Sequence, residues 1–413
     1  MEMIINNKAE LKGEVEVSTS KNAILPILAA SLLCDDEIQI NNVPMINDVG
    51  IIIQLIKSLG IEVWEQNNTV RFIGSIDDNE PPYELVRQIR ASFLIMGPLL
   101  ARKGIARISL PGGCAIGNRP IDLHLKGFEA LGANINLSCG DIIARAPKLV
   151  GNHIYLDFPS VGATENIIMA AAMAEGKTYI ENAALEPEVV DLANFINSMG
   201  GKVNGAGSNV IKIEGVNKLQ GTNYTSIPDR IEAGTFMVAA AATGGNILIK
   251  NIIPEHLKAI TAKLIETGAE VDEEDNQIWV KRIGSIKPVY IKTLPYPGFP
   301  TDMQAQFMAY LGCAEGSSVI SESVFENRFM HVQELLRMGA KINTEGRTAI
   351  IKGISKLSAA HVKATDLRAG AALLIAGLTA EGSTTISNSE HIDRGYENIV
   401  EKLNNLGASI RRI

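Results

Sequence analysis

The sequence is poor in aromatic residues and has neither a long hydrophobic run nor an excess of positive charge. Aromatic residues make up 5% of the chain and the formal net charge is −8, which argues against a general nucleic-acid or membrane-surface binder. The longest apolar runs, such as residues 23–33, contain a proline and fall short of the roughly 20 residues that a membrane span requires. A local arginine cluster can still bind a small anion, so the net charge does not exclude an anionic substrate.

Cysteine is also scarce. The four cysteines, Cys34, Cys114, Cys139 and Cys313, lie far apart and form no CxxC pair, so neither a zinc site nor a disulfide framework is indicated. The N-terminus lacks the basic and apolar segments of a secretory signal, and no GxxxxGK[ST] or GxGxxG element follows a predicted strand. We therefore expect a cytoplasmic globular protein of about two to three domains.

A helix that ends in glycine and leads into a strand recurs six times along the chain. The closing glycines are 72, 68, 68, 71 and 68 residues apart; they are Gly60, Gly132, Gly200, Gly268, Gly339 and Gly407. Each stands where a helix needs a left-handed residue at its C-terminal end. Six copies at nearly constant spacing indicate an internal repeat of about 70 residues.

Each repeat contains a second helix of small and aliphatic residues, which begins after a short polar loop. The alanines that follow these loops are 68, 72, 70, 72 and 64 residues apart; they are Ala23, Ala91, Ala163, Ala233, Ala305 and Ala369. The N–H groups and the positive dipole end at a helix start attract anions. If the repeats are arranged symmetrically, the six helix starts converge on one cleft that would receive an anion.

One repeat is too small for a robust core, so the repeats are expected to pack together. Because cores seldom grow beyond about 250 residues, we predict an α/β protein of two similar lobes with three repeats each. The first lobe is predicted to comprise residues 21–228, including the Cys114 loop, and the second to comprise residues 1–20 plus 229–413. The active site is expected in the cleft between them.

A glycine-rich stretch at residues 111–124 carries a thiol, a guanidinium, a carboxylate and an imidazole. Three glycines around Cys114 favour a loop, and the nearby Arg119 favours the thiolate form. We therefore predict a chemical role for Cys114, against the alternative of a buried, inert thiol. Asp122 and His124 are predicted either to order this loop or to contact a ligand.

Several cations stand at or near the predicted helix starts, where arginine suits phosphate and carboxylate. They are Lys21 (beside Asn22), Arg90, Arg119, Arg328, Arg368 and Arg394. Each can instead be a solvated surface charge, but recurrence at equivalent loops favours function for Lys21, Arg90 and Arg368. Asp302 and Asp366 each follow a threonine and are either helix caps or general bases.

These segments resemble one family over essentially the whole chain. The stretch from Pro111-Gly112-Gly113-Cys114 to Arg119-Pro120-Ile121-Asp122-Leu123-His124 is similar to the cysteine loop of the enolpyruvyl transferases that act on UDP-N-acetylglucosamine. Further similar segments are 21–23, 160–164, 299–304, 324–331, 365–368 and 391–396. The resemblance implies two lobes of three βαβαββ repeats each, an inside-out α/β barrel with the active site between the lobes.

The resemblance also implies a reaction and its ligands. The enolpyruvyl group of phosphoenolpyruvate would pass to the 3′-hydroxyl of UDP-N-acetylglucosamine with release of phosphate, the first committed step of peptidoglycan synthesis, and no cofactor or metal would be needed. Lys21, Asn22, Arg119 and Arg394 resemble the ligands of phosphoenolpyruvate. The residues that resemble contacts to the UDP-sugar are Arg90, Arg119, Pro120, Ile121, Asp122, Leu123, Ser160, Val161, Gly162, Asp302 and Val324.

The same resemblance implies catalytic roles for four residues, namely Lys21, Arg394, Cys114 and Asp302. Cys114 resembles the acid that protonates the donor, forms a covalent adduct and is alkylated by fosfomycin, and Asp302 resembles the base. Asp366, Leu367 and Arg368 resemble a segment that takes part in lobe closure. Phe158 stands where some members have a lysine that contacts the nucleotide, so that contact is not carried over.

Two other functions compete with this interpretation. A 5-enolpyruvylshikimate-3-phosphate synthase would share the fold and the donor, but that enzyme lacks the cysteine loop and has Ser-Lys-Ser where this chain has Lys21-Asn22-Ala23. A repeat scaffold that binds UDP-sugars without catalysis would not need Lys21, Cys114, Asp302 and Arg394 together. We therefore expect the enzyme that uses the amino sugar, with no prediction of its oligomeric state.

Overall fold

A computed structural model describes residues 1–109, 121–138 and 140–413 of the chain. These residues divide into two compact units. The first unit comprises Met1–Ser18 and Pro228–Ile413, and the second comprises residues 19–109, 121–138 and 140–227. The sequence predicted changes of lobe after residues 20 and 228, and the units change after residues 18 and 227.

Short strands are spread evenly through both units. Within the described ranges they are β1 (Glu2–Ile5), β2 (Lys12–Glu16), β3 (Ile38–Asn41), β4 (Glu62–Gln66), β5 (Thr69–Ile73), β6 (Ile105–Ser109), β7 (Asn134–Ser138), β8 (Asp141–Arg145), β9 (His153–Tyr155), β10 (Lys177–Glu181), β11 (Val203–Asn204), β12 (Val210–Glu214), β13 (Asn223–Thr225), β14 (Asn246–Lys250), β15 (Ala269–Glu274), β16 (Gln277–Arg282), β17 (Tyr290–Lys292), β18 (Ser317–Ser321), β19 (Lys341–Glu345), β20 (Thr348–Lys352), β21 (His361–Lys363), β22 (Thr384–Ser387) and β23 (Ile410–Arg412).

Helices alternate with these strands. The α-helices of the described residues are α1 (Lys21–Ala30), α2 (Asn47–Ser58), α3 (Tyr83–Val86), α4 (Met96–Lys103), α5 (Asp122–Ala130), α6 (Val161–Ala171), α7 (Pro187–Ser198), α8 (Arg230–Thr243), α9 (Lys258–Glu266), α10 (Gln304–Leu311), α11 (Val332–Arg337), α12 (Leu367–Thr379) and α13 (Ile399–Asn405). Short 3₁₀ helices are Ser31–Leu33, Arg90–Ile95, Pro254–Leu257, Thr301–Met303 and Ser389–Arg394. In these ranges no helix is both long enough and apolar enough to cross a bilayer.

The described strands form six sheets, three in each unit, and five of these sheets share one pairing pattern. An edge strand runs parallel to its neighbour, and the other pairs are antiparallel, as in β17-β18-β20-β19, where Ile291 of β17 lies opposite Ile320 of β18. The same pattern occurs in β13-β3-β5-β4, β9-β10-β12-β11, β2-β14-β16-β15 and β21-β22-β1-β23, and the sixth sheet is β6-β8-β7. This recurrence is what an internal repeat requires.

The six repeated glycines end helices as predicted. Each follows its helix by two residues, after α2, α5, α7, α9, α11 and α13 in turn. All six have a φ between +85° and +99°, the left-handed region in which a side chain is strained. The periodic glycine is therefore the element that turns each amphipathic helix into the strand after it.

Three helices in each unit are buried on nearly all sides. In α8 every residue from Ile231 to Thr243 is buried, and α8, α10 and α12 pack against one another. In the other unit α1 is buried from Ala23 onward and α6 from Ala163 onward, and α4 is buried over Met96–Leu100. A helix that is apolar all round needs cover on every side, and the sheets and amphipathic helices supply it. The predicted α/β class, with two similar units of three repeats, is confirmed.

One close contact between buried helices depends on glycine. A Cβ atom at Gly97 in α4 would lie 2.5 Å from the backbone oxygen of Asn166 in α6. The N–H of Gly97 also donates to Oδ1 of Asn166 at 2.8 Å. The helices therefore meet at backbone distance, and the contact leaves no room for a methyl group.

We expect Gly97→Ala to lower the free energy of unfolding by about 1–3 kcal/mol, because two backbones would have to separate inside a packed core. Gly50→Ala in α2 is the matched control, since no heavy atom lies within 4 Å of a Cβ atom there. That variant should keep or raise the stability by up to about 1 kcal/mol. Urea unfolding of both variants tests the prediction, and equal losses would contradict it.

Candidate active site

Lys21 opens α1 and pairs with a buried carboxylate. Its Nζ lies 2.6 Å from Oδ2 of Asp48, whose side chain is 4% exposed at the first turn of α2. Ser20 caps α1 by accepting from the N–H of Ala23 at 3.4 Å, and Asn22 follows on the same half-buried turn. The predicted cation is therefore held in place by Asp48, a partner that sequence reasoning missed.

The imidazole of His124 lies beside the start of α6. A Cβ atom at Gly162 would be 3.3 Å from Cε1 of His124. The Nδ2 of Asn166 lies 3.2 Å from Nδ1 of His124 and also donates to the backbone oxygen of Phe93. Because Oδ1 of Asn166 already accepts from a backbone N–H, its amide donates to the ring. Nδ1 of His124 is thus the acceptor, and Nε2 carries the hydrogen.

The charge state of His124 follows from its surroundings. Burial and, to a smaller extent, the positive charge of Arg90 lower the pKa of His124 to about 3. The ring is therefore neutral at physiological pH. Its Nε2–H is a hydrogen-bond donor near a cation and the start of a helix. This arrangement is suited to binding an anionic or carbonyl oxygen.

Several predicted UDP-sugar contacts meet at this place in the second unit. The charge of Arg90 lowers the pKa of His124, and the imidazole of His124 lies beside Gly162. Ser160 caps α6 by accepting from the N–H of Ala163 at 3.4 Å. Val161 begins α6, Ile121 precedes α5, and Asp122 and Leu123 form its first turn. Phe158 is 44% exposed two residues before the cap.

In the first unit Asp302 is clamped by two arginines. Nη2 of Arg328 donates to its Oδ1 at 2.7 Å, and Nη2 of Arg368 donates to its Oδ2 at 2.8 Å. The arginine side chains are 4% and 6% exposed, against 25% for Asp302. Asp302 lies inside the 3₁₀ turn Thr301–Met303, whereas Asp366 caps α12 by accepting from two backbone N–H groups. The two aspartates that looked alike in sequence therefore differ in structure.

Arg368 is itself held in place by a hydrogen bond to Tyr396. Its Nη1 donates to the hydroxyl of Tyr396 at 3.1 Å, and that hydroxyl lies 2.9 Å from Oγ1 of Thr235. Burial by itself lowers the pKa of Arg368, but the charge of Asp302 and neighbouring groups raise the pKa above its usual value. The guanidinium is therefore permanently charged. Sequence reasoning missed this role of Tyr396.

The remaining predicted residues of the first unit lie on other turns and helix ends of that unit. The N–H of Val324 donates to Oε1 of the buried Glu322 at 2.8 Å. Glu322 belongs to none of the motifs found in the sequence. Leu367 begins α12, and the half-buried Arg394 ends the 3₁₀ turn Ser389–Arg394. Burial lowers the pKa of the nearby His331 to about 4; the negative charge of Asp366 opposes the shift and Arg328 adds to it.

Some predicted residues lie outside the described ranges, namely Cys114, Arg119, Pro120 and Cys139. Of the described cysteines, burial raises the pKa of Cys34 and of Cys313, which keeps both thiols protonated. In the described part of the chain no group of three or more His, Cys, Asp or Glu side chains could hold a metal ion.

The fold of this chain is that of solved enolpyruvyl transferases. The enolpyruvyl transferase NikO from Streptomyces tendae has a TM-score of 0.90 at 25% identity, covering 99% of this chain and 98% of that one. EPSP synthase from Acinetobacter baumannii has a TM-score of 0.77 at 20% identity, covering 99% of both chains, and shows the fold alone. The chain belongs to the EPSP synthase (3-phosphoshikimate 1-carboxyvinyltransferase) family, whose sequence model matches residues 5–403.

Relatives within the family match this chain from end to end. UDP-N-acetylglucosamine 1-carboxyvinyltransferase 2 of Carboxydothermus hydrogenoformans is 59% identical over 413 residues, which cover 99% of each chain. UDP-N-acetylglucosamine 1-carboxyvinyltransferase 1 of Caldanaerobacter subterraneus subsp. tengcongensis is 59% identical over 409 residues with the same coverage. UDP-N-acetylglucosamine 1-carboxyvinyltransferase 2 of Clostridium tetani is 54% identical over 414 residues, covering 100% of this chain and 99% of that one.

The buried histidines predict how stability depends on pH. In the folded protein His124 and His331 stay neutral down to pH values of about 3 and 4, whereas each binds a proton near 6.5 when unfolded. At these two positions the unfolded state therefore takes up more protons as the pH falls below 6.5, and the contribution of each histidine to stability is lost in that direction. At pH 5 the loss should be about 2 kcal/mol per histidine relative to pH 7.

Urea unfolding at pH 5 and pH 7 measures this effect. His331→Gln should show a smaller loss between the two pH values than the wild type, because one titrating group is gone. The exposed His153 serves as the control, and His153→Gln should keep the wild-type difference. A His331→Gln variant with an unchanged pH difference would refute the assignment.

Proposed function

We propose that the protein transfers the 1-carboxyvinyl (enolpyruvyl) group of phosphoenolpyruvate to the 3′-hydroxyl of UDP-N-acetylglucosamine and releases phosphate. The observation that carries this proposal is the 59% identity to UDP-N-acetylglucosamine 1-carboxyvinyltransferases over 99% of each chain. The reaction begins peptidoglycan synthesis, and we place it in the cytoplasm, with neither nucleic acid nor membrane as a partner.

Asp302 is the proposed base for the acceptor. As the 3′-oxygen bonds to C2 of phosphoenolpyruvate, its proton passes to the Asp302 carboxylate. The partial exposure of Asp302 supports this role, since its two arginine partners are buried and the carboxylate is the accessible member of the cluster. Val324, held near Asp302 by the turn after β18, is the proposed contact to the sugar in this unit.

Cys114 is the proposed acid for the donor. Its thiol gives a proton to C3 of phosphoenolpyruvate, so that C3 becomes a methyl group while C2 accepts the 3′-oxygen. The C2–O bond to phosphate then breaks, and the leaving phosphate takes the proton held by Asp302. The Cys114 thiolate takes a proton from C3, which restores the carbon–carbon double bond and the thiol. Attack of the thiolate on C2 in place of the sugar would give the covalent phospholactoyl adduct.

The donor carries several negative charges, and its protonation develops positive charge beside them. Lys21, Asn22, Arg119 and Arg394 are the proposed ligands of its phosphate and carboxylate. Lys21 supports this proposal because its ion pair with Asp48 fixes it at a helix start. Cations held in advance stabilise such a charge distribution without reorganisation at the moment of reaction.

The acceptor's nucleotide part is proposed to bind at the start of α6. Arg90 and the Nε2 hydrogen of His124 lie by the capped turn that contains Ser160, Val161 and Gly162, and backbone N–H groups there suit a diphosphate. Ile121, Asp122, Leu123 and the undescribed Arg119 and Pro120 are the further proposed contacts. The cleft between the units, and closure by the Asp366–Leu367–Arg368 segment, stay predictions.

A 3-phosphoshikimate 1-carboxyvinyltransferase is the second candidate, because the matching family model carries that name. Phosphate release from phosphoenolpyruvate with each acceptor in turn distinguishes the two. We expect release with UDP-N-acetylglucosamine and none with shikimate-3-phosphate. The opposite result would overturn the proposal, and no release with either acceptor would favour a non-catalytic UDP-sugar scaffold.

Cys114 can be tested separately by alkylation. Fosfomycin should add covalently to Cys114, and Cys114→Asp should resist the reagent yet keep turnover, because a carboxylic acid can still donate the proton. Cys114→Ala should lose about 100-fold or more of the activity, the usual scale for removing a general acid. Mass spectrometry locates the adduct, and modification of Cys34, Cys139 or Cys313 instead would remove the proposed role.

A further inference from the structure

We propose that Glu322 is a positioning residue of the acceptor site, which fixes the loop that carries Asp302 relative to the loop that carries Val324. The inference rests on the proposed function, in which Asp302 and Val324 both face UDP-N-acetylglucosamine. Glu322 acts through these two residues, because its own carboxylate is engaged by donors of the protein.

Glu322 occupies the end of a strand at a sheet edge where ligands commonly bind. It directly follows β18, and Thr293 directly follows β17, which is the parallel neighbour of β18. In α/β sheets the carboxyl ends of parallel strands are the usual location of binding loops. The side chain of Glu322 is 1% exposed, so its charge must be satisfied from within the protein.

Four neutral donors satisfy that charge. Oε1 accepts from Oγ1 of Thr293 at 2.8 Å and from the N–H groups of Val324 and Phe325 at 2.8 and 3.1 Å. Oε2 accepts from Oγ1 of Thr301 at 2.8 Å. Hydrogen bonds to an ionised acceptor are stronger than neutral ones. One carboxylate therefore joins the end of β17, the turn at Val324 and the residue that precedes Asp302.

The same two loops are joined a second time, by the hydrogen bond from Arg328 to Asp302. That second link includes the proposed base, so its strength changes whenever Asp302 gains or loses a proton. The link through Glu322 ends on Thr301 and leaves the Asp302 carboxylate untouched. It therefore holds the spacing of the two loops constant throughout the proposed reaction.

Thr301→Val is the sharpest test, because it keeps the side-chain shape and removes only the hydrogen bond to Glu322. We expect kcat to fall about 10- to 100-fold, since small misplacement of a reacting group has effects of this size. The KM for UDP-N-acetylglucosamine should rise, whereas the KM for phosphoenolpyruvate should change less than about 2-fold. Glu322→Gln should retain more activity than Glu322→Ala, because the amide can donate to Thr301 and still accept from the backbone.

Thr267→Val provides the matched control within the same unit. Thr267 is buried, and its hydroxyl makes two hydrogen bonds, to the backbone oxygen of Leu264 at 2.6 Å and with the hydroxyl of Tyr310 at 2.8 Å. This variant should lose thermal stability as Thr301→Val does, but keep the wild-type kcat and both KM values.

Two negative results have different meanings. If the wild type turns over UDP-N-acetylglucosamine while Thr301→Val matches Thr267→Val in stability, kcat and KM, then Glu322 is merely structural and the inference is overturned alone. If the wild type releases no phosphate with this acceptor, the proposed function is overturned, and the inference falls with it.

Discussion

A helix buried on every side leaves its first N–H groups without partners inside the helix, and away from water these groups must be satisfied by something else. The repeats meet this requirement in two ways. Ser20, Ser160, Asp229 and Asp366 cap four of the buried helices with side-chain oxygen atoms. In the other two repeats a 3₁₀ turn precedes the helix, and these are the turns that carry Arg90 and Asp302. Most residues of the candidate site thus come from one structural position, repeated around each unit.

Burial of charge at these positions requires compensation, and the protein's own side chains supply it. Lys21 is paired with Asp48, and Arg328 and Arg368 share Asp302, while His124 and His331 stay neutral. A buried charge that loses its partner is far more costly than the pair is stabilising. The cations are consequently fixed in orientation, which suits a reaction whose substrate carries several negative charges.

The parts of this structure that were predictable from sequence are those set by local chemistry. A left-handed glycine after a helix, such as Gly268, depends on a few neighbouring residues, so its periodicity revealed the repeats and hence the α/β units. The pairing of Asp302 with Arg328 and Arg368 spans 26 and 66 residues, and that of His124 with Asn166 spans 42. No local sequence pattern predicts which of the distant polar and charged side chains pair with one another. The glycine-rich loop pointed to chemistry at Cys114 and Arg119, but their particular roles as acid and donor ligand came from family resemblance, and Glu322 lies in no motif.

The clamp on Asp302 also bears on the order of events in the proposed reaction. Oδ1 of Asp302 accepts from Arg328 and Oδ2 accepts from Arg368. Under the proposed function the same carboxylate also accepts from the hydroxyl of the acceptor. Taking a proton would neutralise Asp302 and leave two buried guanidinium groups without their shared counter-ion, which is unfavourable. Proton transfer to Asp302 is therefore favoured only after the hydroxyl has become strongly acidic. That happens once the 3′-oxygen has begun to bond to a C2 atom made electron-poor by protonation of C3. Under the proposed function, proton delivery to the donor therefore precedes proton removal from the acceptor. The two arginines then favour return of Asp302 to its ionised form as its proton passes to the leaving phosphate.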